Sequence, residues 1–296
     1  MIAGMRGVVP ILAMPFHADG SVDLESLRRE TEWAIGCGVD GLGLARASDL
    51  PLLSVDERSL VTRAVVDQAA GRVALVVLTA AESVHLAAEL GRRAEADGAS
   101  ALMVSPPTFD ANRPGQERFF RELASATALP ILLQDIPIAP VDPALAMRLD
   151  EEFPGRFGLK VETQPTPPAV ERALVATGGR MPVLGGAGGL HFYAELIRGA
   201  VGAMPGCVVP ELFVDVWRQW EAGNSEGARR AFSRFVPFLA ATGHSGLLQS
   251  YYREALVQRG VFSSAVARTP AAALGSAERR ELHELLDDLQ LAPVLA

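Results

Sequence analysis

The chain has 296 residues, 49% hydrophobic and 21% charged, which suits one large barrel or two ordinary domains with a sizeable core. A net charge of −8 argues against nucleic acid or an anionic membrane as partner. Cys37 and Cys207 lack metal-ligand spacing and read as buried thiols; no signal peptide opens the chain and no apolar run nears the ~20 residues of a membrane span, so the cytoplasm is the expected location.

Strands and helices alternate along the sequence. Val8 to Ala13 is an apolar run, followed by the turn His17 to Gly20, and Asp23 is placed to cap a helix carrying Leu24, Leu27, Thr31 and Ala34 on one face. Gly41 to Ala45 predicts a second strand, with Ser54 capping the next helix through Ala69. Val73 to Leu78, Ala101 to Val104 and Pro130 to Gln134 predict three more strands, the first two followed by helices near Ser83–Asp97 and Gln116–Thr127, and the third by one opening at Asp142. Phe157 to Val161, Met181 to Leu184 and Gly199 to Ala203 complete eight, with helices from about Leu190 and from Pro210 to Ala222.

Eight such units over this length predict an α/β fold, a (β/α)8 TIM barrel spanning 1–223. An open doubly wound sheet is disfavoured, because no G-x-G-x-x-G follows the first strand. From Asn224 onward the apolar spacing is helical (Ala231, Phe232, Phe235, Leu239; then Leu247, Leu248, Tyr251, Leu256), which predicts a C-terminal helical region, 224–296, packed on the barrel.

Lys160 is the only lysine among 27 basic residues. Arginine serves wherever a surface charge is needed, but its guanidinium cannot lose a proton to attack a carbonyl; a desolvated lysine can, forming a Schiff base. Lys160 lies in an apolar strand whose residues Phe157, Leu159 and Val161 alternate with Gly158, Lys160 and Glu162, so it is expected on a packed face. The structural alternative is a lone lysine left by arginine-biased usage.

In a barrel, the C-terminal strand ends gather at one mouth. The candidates there are Lys160 as nucleophile, Gln134 and Asp49 as further catalytic residues, and Arg46, Ala47, Ser48, Glu162, Gly185, Gly186 and Ala187 as substrate contacts. Arg46 can grip a carboxylate if it points inward, or sit in a solvated loop. Glu162, two residues past Lys160, shares its face and can pair with the amine. Gln134 is expected to face inward, and Asp135 either to cap a helix or turn or to act as a general acid or base. The glycine-rich run 185–189 brings backbone N–H groups near a ligand, or simply makes a tight turn. His191 and Tyr193 are expected on a helix surface, and the histidines form no metal triad.

Taken in order, several stretches resemble the dihydrodipicolinate synthase / N-acetylneuraminate lyase family of class I aldolases. They are Pro15-Phe16 with Asp19-Gly20 and Val22-Asp23; Leu53-Ser54 with Glu57-Arg58; Gly71-Arg72-Val73; Pro106-Pro107; Leu129 to Leu132 with Pro137; Gly158-Leu159-Lys160; Gly199 to Gly202; and Arg268 with Pro270. The resemblance spans nearly the whole chain and implies the barrel, with Lys160 at the Schiff-base position and no cofactor beyond the covalent imine. The departures are equally specific. The family's GTTGE loop reads Ala45-Arg46-Ala47-Ser48-Asp49, its strand tyrosine is replaced by Gln134, and the tyrosine expected after the proline pair by Thr108-Phe109. Dihydrodipicolinate synthesis itself is therefore not expected. The leading expectation is an aldolase-type lyase acting on a 2-oxo acid or related small carbonyl substrate. The alternatives are an imine-dependent dehydratase or hydratase of a sugar-acid-like substrate and a non-catalytic metabolite-binding descendant. The resemblance also implies a homo-oligomer, tetramer or dimer.

Overall fold

A computed structural model describes residues 5–109, 113–243, 246–268, 273–291 and 294. Pro270 of the Arg268–Pro270 pair lies outside them. Eight parallel strands form one sheet: β1 (Gly7–Val8), β2 (Gly41–Leu44), β3 (Ala74–Leu78), β4 (Ala101–Val104), β5 (Ile131–Asp135), β6 (Phe157–Val161), β7 (Val183–Gly185) and β8 (Gly202–Ala203). Each strand from β2 to β8 pairs with its neighbours in sequence order, and β8 returns to β1. The seam between β1 and β2 is closed by backbone bonds from Asp40 N to Val8 O, Gly43 N to Pro10 O and Leu12 N to Gly43 O, each 2.9 Å. With no free edge left, the sheet is a barrel.

The first strand is shorter than the apolar run Val8–Ala13 because Pro10 has no N–H to give the ladder. The extended backbone nevertheless continues past it, with Val9 N and Ile11 N donating to Ala203 O and Pro205 O. The seventh strand begins at Val183, after Pro182, and takes in Gly185, which was expected in the loop.

Helices α1 (Leu24–Cys37), α2 (Val55–Ala69), α3 (Val84–Ala96), α4 (Arg113–Ala126), α5 (Pro143–Glu152), α6 (Thr166–Thr177), α7 (Phe192–Leu196) and α8 (Pro210–Glu221) follow the strands in turn. Asp23 caps α1 through the N–H groups of Glu25 and Ser26, and Ser54 and Glu57 form a reciprocal capping box on α2. No predicted element corresponds to α6. Its first turn carries Pro167 and Pro168, tolerated there because first-turn N–H groups have no helical partner.

Four more helices follow, α9 (Ser225–Ser233), α10 (Val236–Thr242), α11 (Leu248–Gln258) and α12 (Ser276–Asp288). Phe213 of α8 bridges Phe192 of α7 and Phe235 before α10, at ring-centroid distances of 5.7 and 5.0 Å, in tilted and edge-on geometry. Arg268 ties the late chain to the first loops. Its guanidinium donates to Gly20 O and to both Glu57 oxygens and lies 4.9 Å over the Phe16 ring. The bonds from Arg268 and the Ser54 N–H hold the Glu57 carboxyl down at about 2. Both cysteines are free, Cys207 buried and Cys37 only half-buried. No helix among the described residues is long and apolar enough to cross a membrane.

A second fastening lies deeper. Asp49 sits between two short 3-10 turns, Arg46–Ser48 and Leu50–Leu52, at φ +50°, a conformation aspartate tolerates better than most residues. Its Oδ2 accepts from Arg253 Nη1 of α11 at 2.5 Å, with the two side chains 11% and 3% exposed. Removing one member strands the other charge. Asp49→Ala is therefore expected to lower stability by about 3 kcal/mol, while the double variant Asp49→Leu/Arg253→Met recovers most of that loss. Denaturant midpoints of the singles and the double test this; additive losses would show that the pair is not coupled.

Glu195 of α7 is fully buried behind β7. Its Oε1 accepts from Thr166 Oγ1 and its Oε2 has no partner among the described residues. Gly185 makes room for it, since a Cβ there would lie 1.7 Å from Oε2. Burial pushes this carboxyl from 4.5 up to about 7, offset in part by Thr166, with the nearby Glu162 charge pushing the same way. The folded protein therefore keeps a proton that the unfolded chain has released. Its stabilisation is complete below pH 4.5 and is lost as pH rises through about 7, an effect of roughly 3 kcal/mol. Glu195→Gln is expected to flatten stability over that window in a pH series of denaturant melts, and an unchanged slope would assign the pH dependence elsewhere.

Candidate active site

β5 and β6 pair with Gln134 opposite Lys160. Because side chains alternate along a strand, Gln134 and Lys160 face the barrel interior, and Phe157, Leu159 and Val161 face the helices. Lys160 is 3% exposed, so its ammonium needs a counter-charge. Glu162, just beyond the strand end on the same face, supplies it, with Oε1 3.4 Å from Lys160 Nζ.

Two other groups hold that carboxylate. Gln134 Nε2 donates to Oε2 at 2.6 Å, and the backbone N–H of Ala187 donates to Oε1 at 3.2 Å. Ala187 makes its bond from φ +49°, a left-handed conformation costing alanine on the order of 1 kcal/mol. Burial alone would push the Glu162 carboxyl up. The Lys160 charge and the bonds from Gln134 and Ala187 outweigh it and hold the carboxyl below its usual value. Gln134 Oε1 is buried and has no partner among the described residues, which leaves one acceptor beside the amine uncommitted.

These groups open on a cavity of about 410 Å³ at the C-terminal strand ends, lined also by Arg46, Ala47, Ala187 and Gly188 and, from the C-terminal helices, by Thr242, Gln249 and Tyr252. Arg46 is exposed at the rim and has no ion pair among the described residues; its charge reaches Glu82, whose carboxyl it helps to lower after the bonds from Thr108 and Phe109. A smaller cavity of about 260 Å³ lies at the opposite end, over Val9, Gly41, Ala74 and Pro130, with neither a lysine nor a cysteine on its wall.

The structure gathers Lys160, Gln134, Glu162, Arg46, Ala47 and Ala187 around one cavity. Gly186 runs beside the Glu162 side chain. Three expected site residues lie elsewhere. Asp49 turns from the cavity to pair with Arg253. Ser48 is buried beneath the loop, where its hydroxyl accepts from Ala45 N and commits its one donor to Leu12 O. Gly185 ends β7 facing Glu195, away from the mouth. Asp135 caps the following turn, with Oδ1 accepting from Val141 N at 2.9 Å. Tyr193 bonds Ser225 and packs edge-on to Trp220. Among the described residues no cluster of histidine, cysteine or carboxylate side chains is arranged to hold a metal ion.

The cavity residues that sequence spacing does not reveal are those of the late helices. In α11 the apolar positions 251 and 256 mark the packed face, and Tyr252 looks like one more core aromatic. Only its neighbour Gly206 gives it away: a Cβ there would fall 2.3 Å from the Tyr252 ring and hydroxyl, so glycine is required for the ring to enter the mouth.

The profile of the Dihydrodipicolinate synthetase family matches residues 4–289. The chain is 30% identical over 289 residues to an L-2-keto-3-deoxyarabonate dehydratase of Azospirillum brasilense, covering 94% of this chain and 92% of that one. It is 35% identical over 166 residues to a 4-hydroxy-tetrahydrodipicolinate synthase of Azoarcus sp., a match spanning 54% of this chain and 56% of the relative. The crystal structure of a dihydrodipicolinate synthase from Rhodopseudomonas palustris superposes with a TM-score of 0.89 at 27% identity, over 97% of this chain and 99% of that one. With a closed eight-stranded barrel and these matches along its length, the chain belongs to the dihydrodipicolinate synthetase family of Schiff-base-forming lyases.

Proposed function

We propose that this protein is a dehydratase of 3-deoxy-2-oxo sugar acids that works through an imine on Lys160. The observation that carries the reading is the buried Lys160 amine held 3.4 Å from a carboxylate at the floor of a solvent-connected cavity. Glu162 is the base that takes a proton from Lys160, so that the neutral amine attacks the substrate C2 carbonyl. The same carboxyl then returns the proton to the hydroxyl that leaves as water when the imine forms. The protonated imine is an electron sink. It acidifies C3, and Glu162 removes the C3 proton to give an enamine. Arg46, at the rim, holds the substrate carboxylate through its two-pronged guanidinium. No resident cofactor is needed for these steps.

Dehydration is favoured over carbon–carbon cleavage by the length of the match to a 2-keto-3-deoxyarabonate dehydratase, whose named substrate carries the 2-oxo group and the deoxy C3 this chemistry uses. Aldol cleavage through the same imine is the second reading, supported by the synthases among the relatives. We also propose a homo-oligomer, dimer or tetramer. The large apolar side chains of Phe109, Val175 and Ile138 are 83%, 78% and 74% exposed, surface that assembly buries.

The central test is borohydride reduction in the presence of a panel of 2-oxo acids. The expected result is a covalent adduct mapped to Lys160, absent from Lys160→Ala, and a turnover product that has lost water. Pyruvate plus an aldehyde as products would turn the reading to aldol cleavage, and no adduct with any acid would end the imine account. Sedimentation velocity is expected to return a multiple of the chain mass, with a monomer refuting the assembly.

A further inference from the structure

We infer that Tyr252, supplied by the C-terminal helix α11 rather than by a barrel strand, is the general acid that protonates the departing C4 hydroxyl. The inference rests on the imine reading above.

The chain has three tyrosines, and their positions differ sharply. Tyr193 is outside the barrel on Ser225. Tyr251, one residue before Tyr252 on α11, does not line the cavity. Tyr252 alone lines the cavity that holds Lys160 and Glu162. Its hydroxyl lies between the loops after β7 and β8. Cβ atoms built on Gly206 and Gly188 would fall 2.3 and 3.7 Å from it. The residue is buried, and its hydroxyl makes no hydrogen bond with any described residue, yet it is not among the sealed polar atoms, so it opens onto the cavity. A phenol placed in this way has a donor to spend on a ligand.

The chemistry of the position fits an acid and not a base. Burial first, then the Cys207 and Glu162 groups beside it, raise the phenol above its usual range, so it stays protonated wherever the enzyme works. Glu162, on the same cavity, is shifted the other way. In the elimination, the C3–H bond breaks and its proton goes to Glu162, giving the enamine. The enamine electrons then form the C3–C4 double bond as the C4–O bond breaks. The Tyr252 O–H proton goes to the leaving oxygen, which departs as water. Glu162 returns its proton to the phenolate, directly or through that water. Hydrolysis of the imine frees Lys160 and the product, so the substrate has lost one water and the protein is unchanged.

The experiment compares wild type with Tyr252→Phe, using a 3-deoxy-2-oxo sugar acid as substrate. The variant is expected to keep the borohydride-trapped Lys160 adduct and a KM within about twofold, while kcat falls roughly 100-fold or more. A substrate analogue carrying chloride at C4, which leaves without a proton, is expected to be turned over by both proteins at similar rates. Unchanged kcat in Tyr252→Phe would overturn the inference. So would loss of the trapped adduct in the variant, which would make Tyr252 a pocket-shaping residue, and so would equal damage on the chloride analogue. Failure of wild type to form any adduct would instead remove the imine reading itself, a result visible before the variant is compared.

Discussion

The buried Lys160–Glu162 pair is the constraint on which the site depends. A primary amine inside a barrel is unfavourable unless a charge or hydrogen bonds replace water. Here both partners come from one strand and the residue just beyond it, because residues two apart share a face. Gln134 then enters by register with Lys160, and Ala187 by a strained turn after β7. Strand register thus sets where Lys160 and Gln134 start, and a backbone N–H supplies the third partner, so the carboxylate is held from three sides over short distances.

The barrel alone does not close this site. Its far wall is α11, and the loop bearing Arg46 and Ala47 is pinned to that helix by the Asp49–Arg253 pair. The late helices are therefore part of the cavity's enclosure, and their docking completes its wall. Arg268 reinforces the docking at the other flank, where it joins Phe16, Gly20 and Glu57.

That cluster also explains which parts of the molecule were legible in the sequence. Phe16, Gly20, Glu57 and Arg268, far apart in the chain and each weak as a signal, converge as one clamp, so their joint presence marked the fold. Alternation around Lys160 and the cap signals at Asp23 and Ser54 placed the strands and the inward face, because local physics decides them. What was not legible came from tertiary contacts. Asp49 and Ser48 are polar residues in the loop where a ligand site was expected, and only the positions of Arg253 and Leu12 show that their hydrogen bonds are already committed. Tyr252 is the reverse case, an aromatic on a packed helix whose one polar atom faces the cavity. No period along the chain distinguishes it from Tyr251.

On the proposed reading, Gln134 in place of the family's β5 tyrosine is compatible with an imine at Lys160 if acid and base are divided between two walls. Gln134, in the place of that tyrosine, cannot carry a proton, but it fixes Glu162. Glu162 is pulled below its normal range by the amine and its donors, while the phenol opposite is pushed above its own by burial. Two titratable groups driven apart in this way hold opposite protonation states at the same pH, one ready to accept and the other to donate. The elimination proposed above uses that pairing, with Glu162 at the strand ends and Tyr252 on the helix. The substrate would lie between them, along the line from the barrel floor to α11.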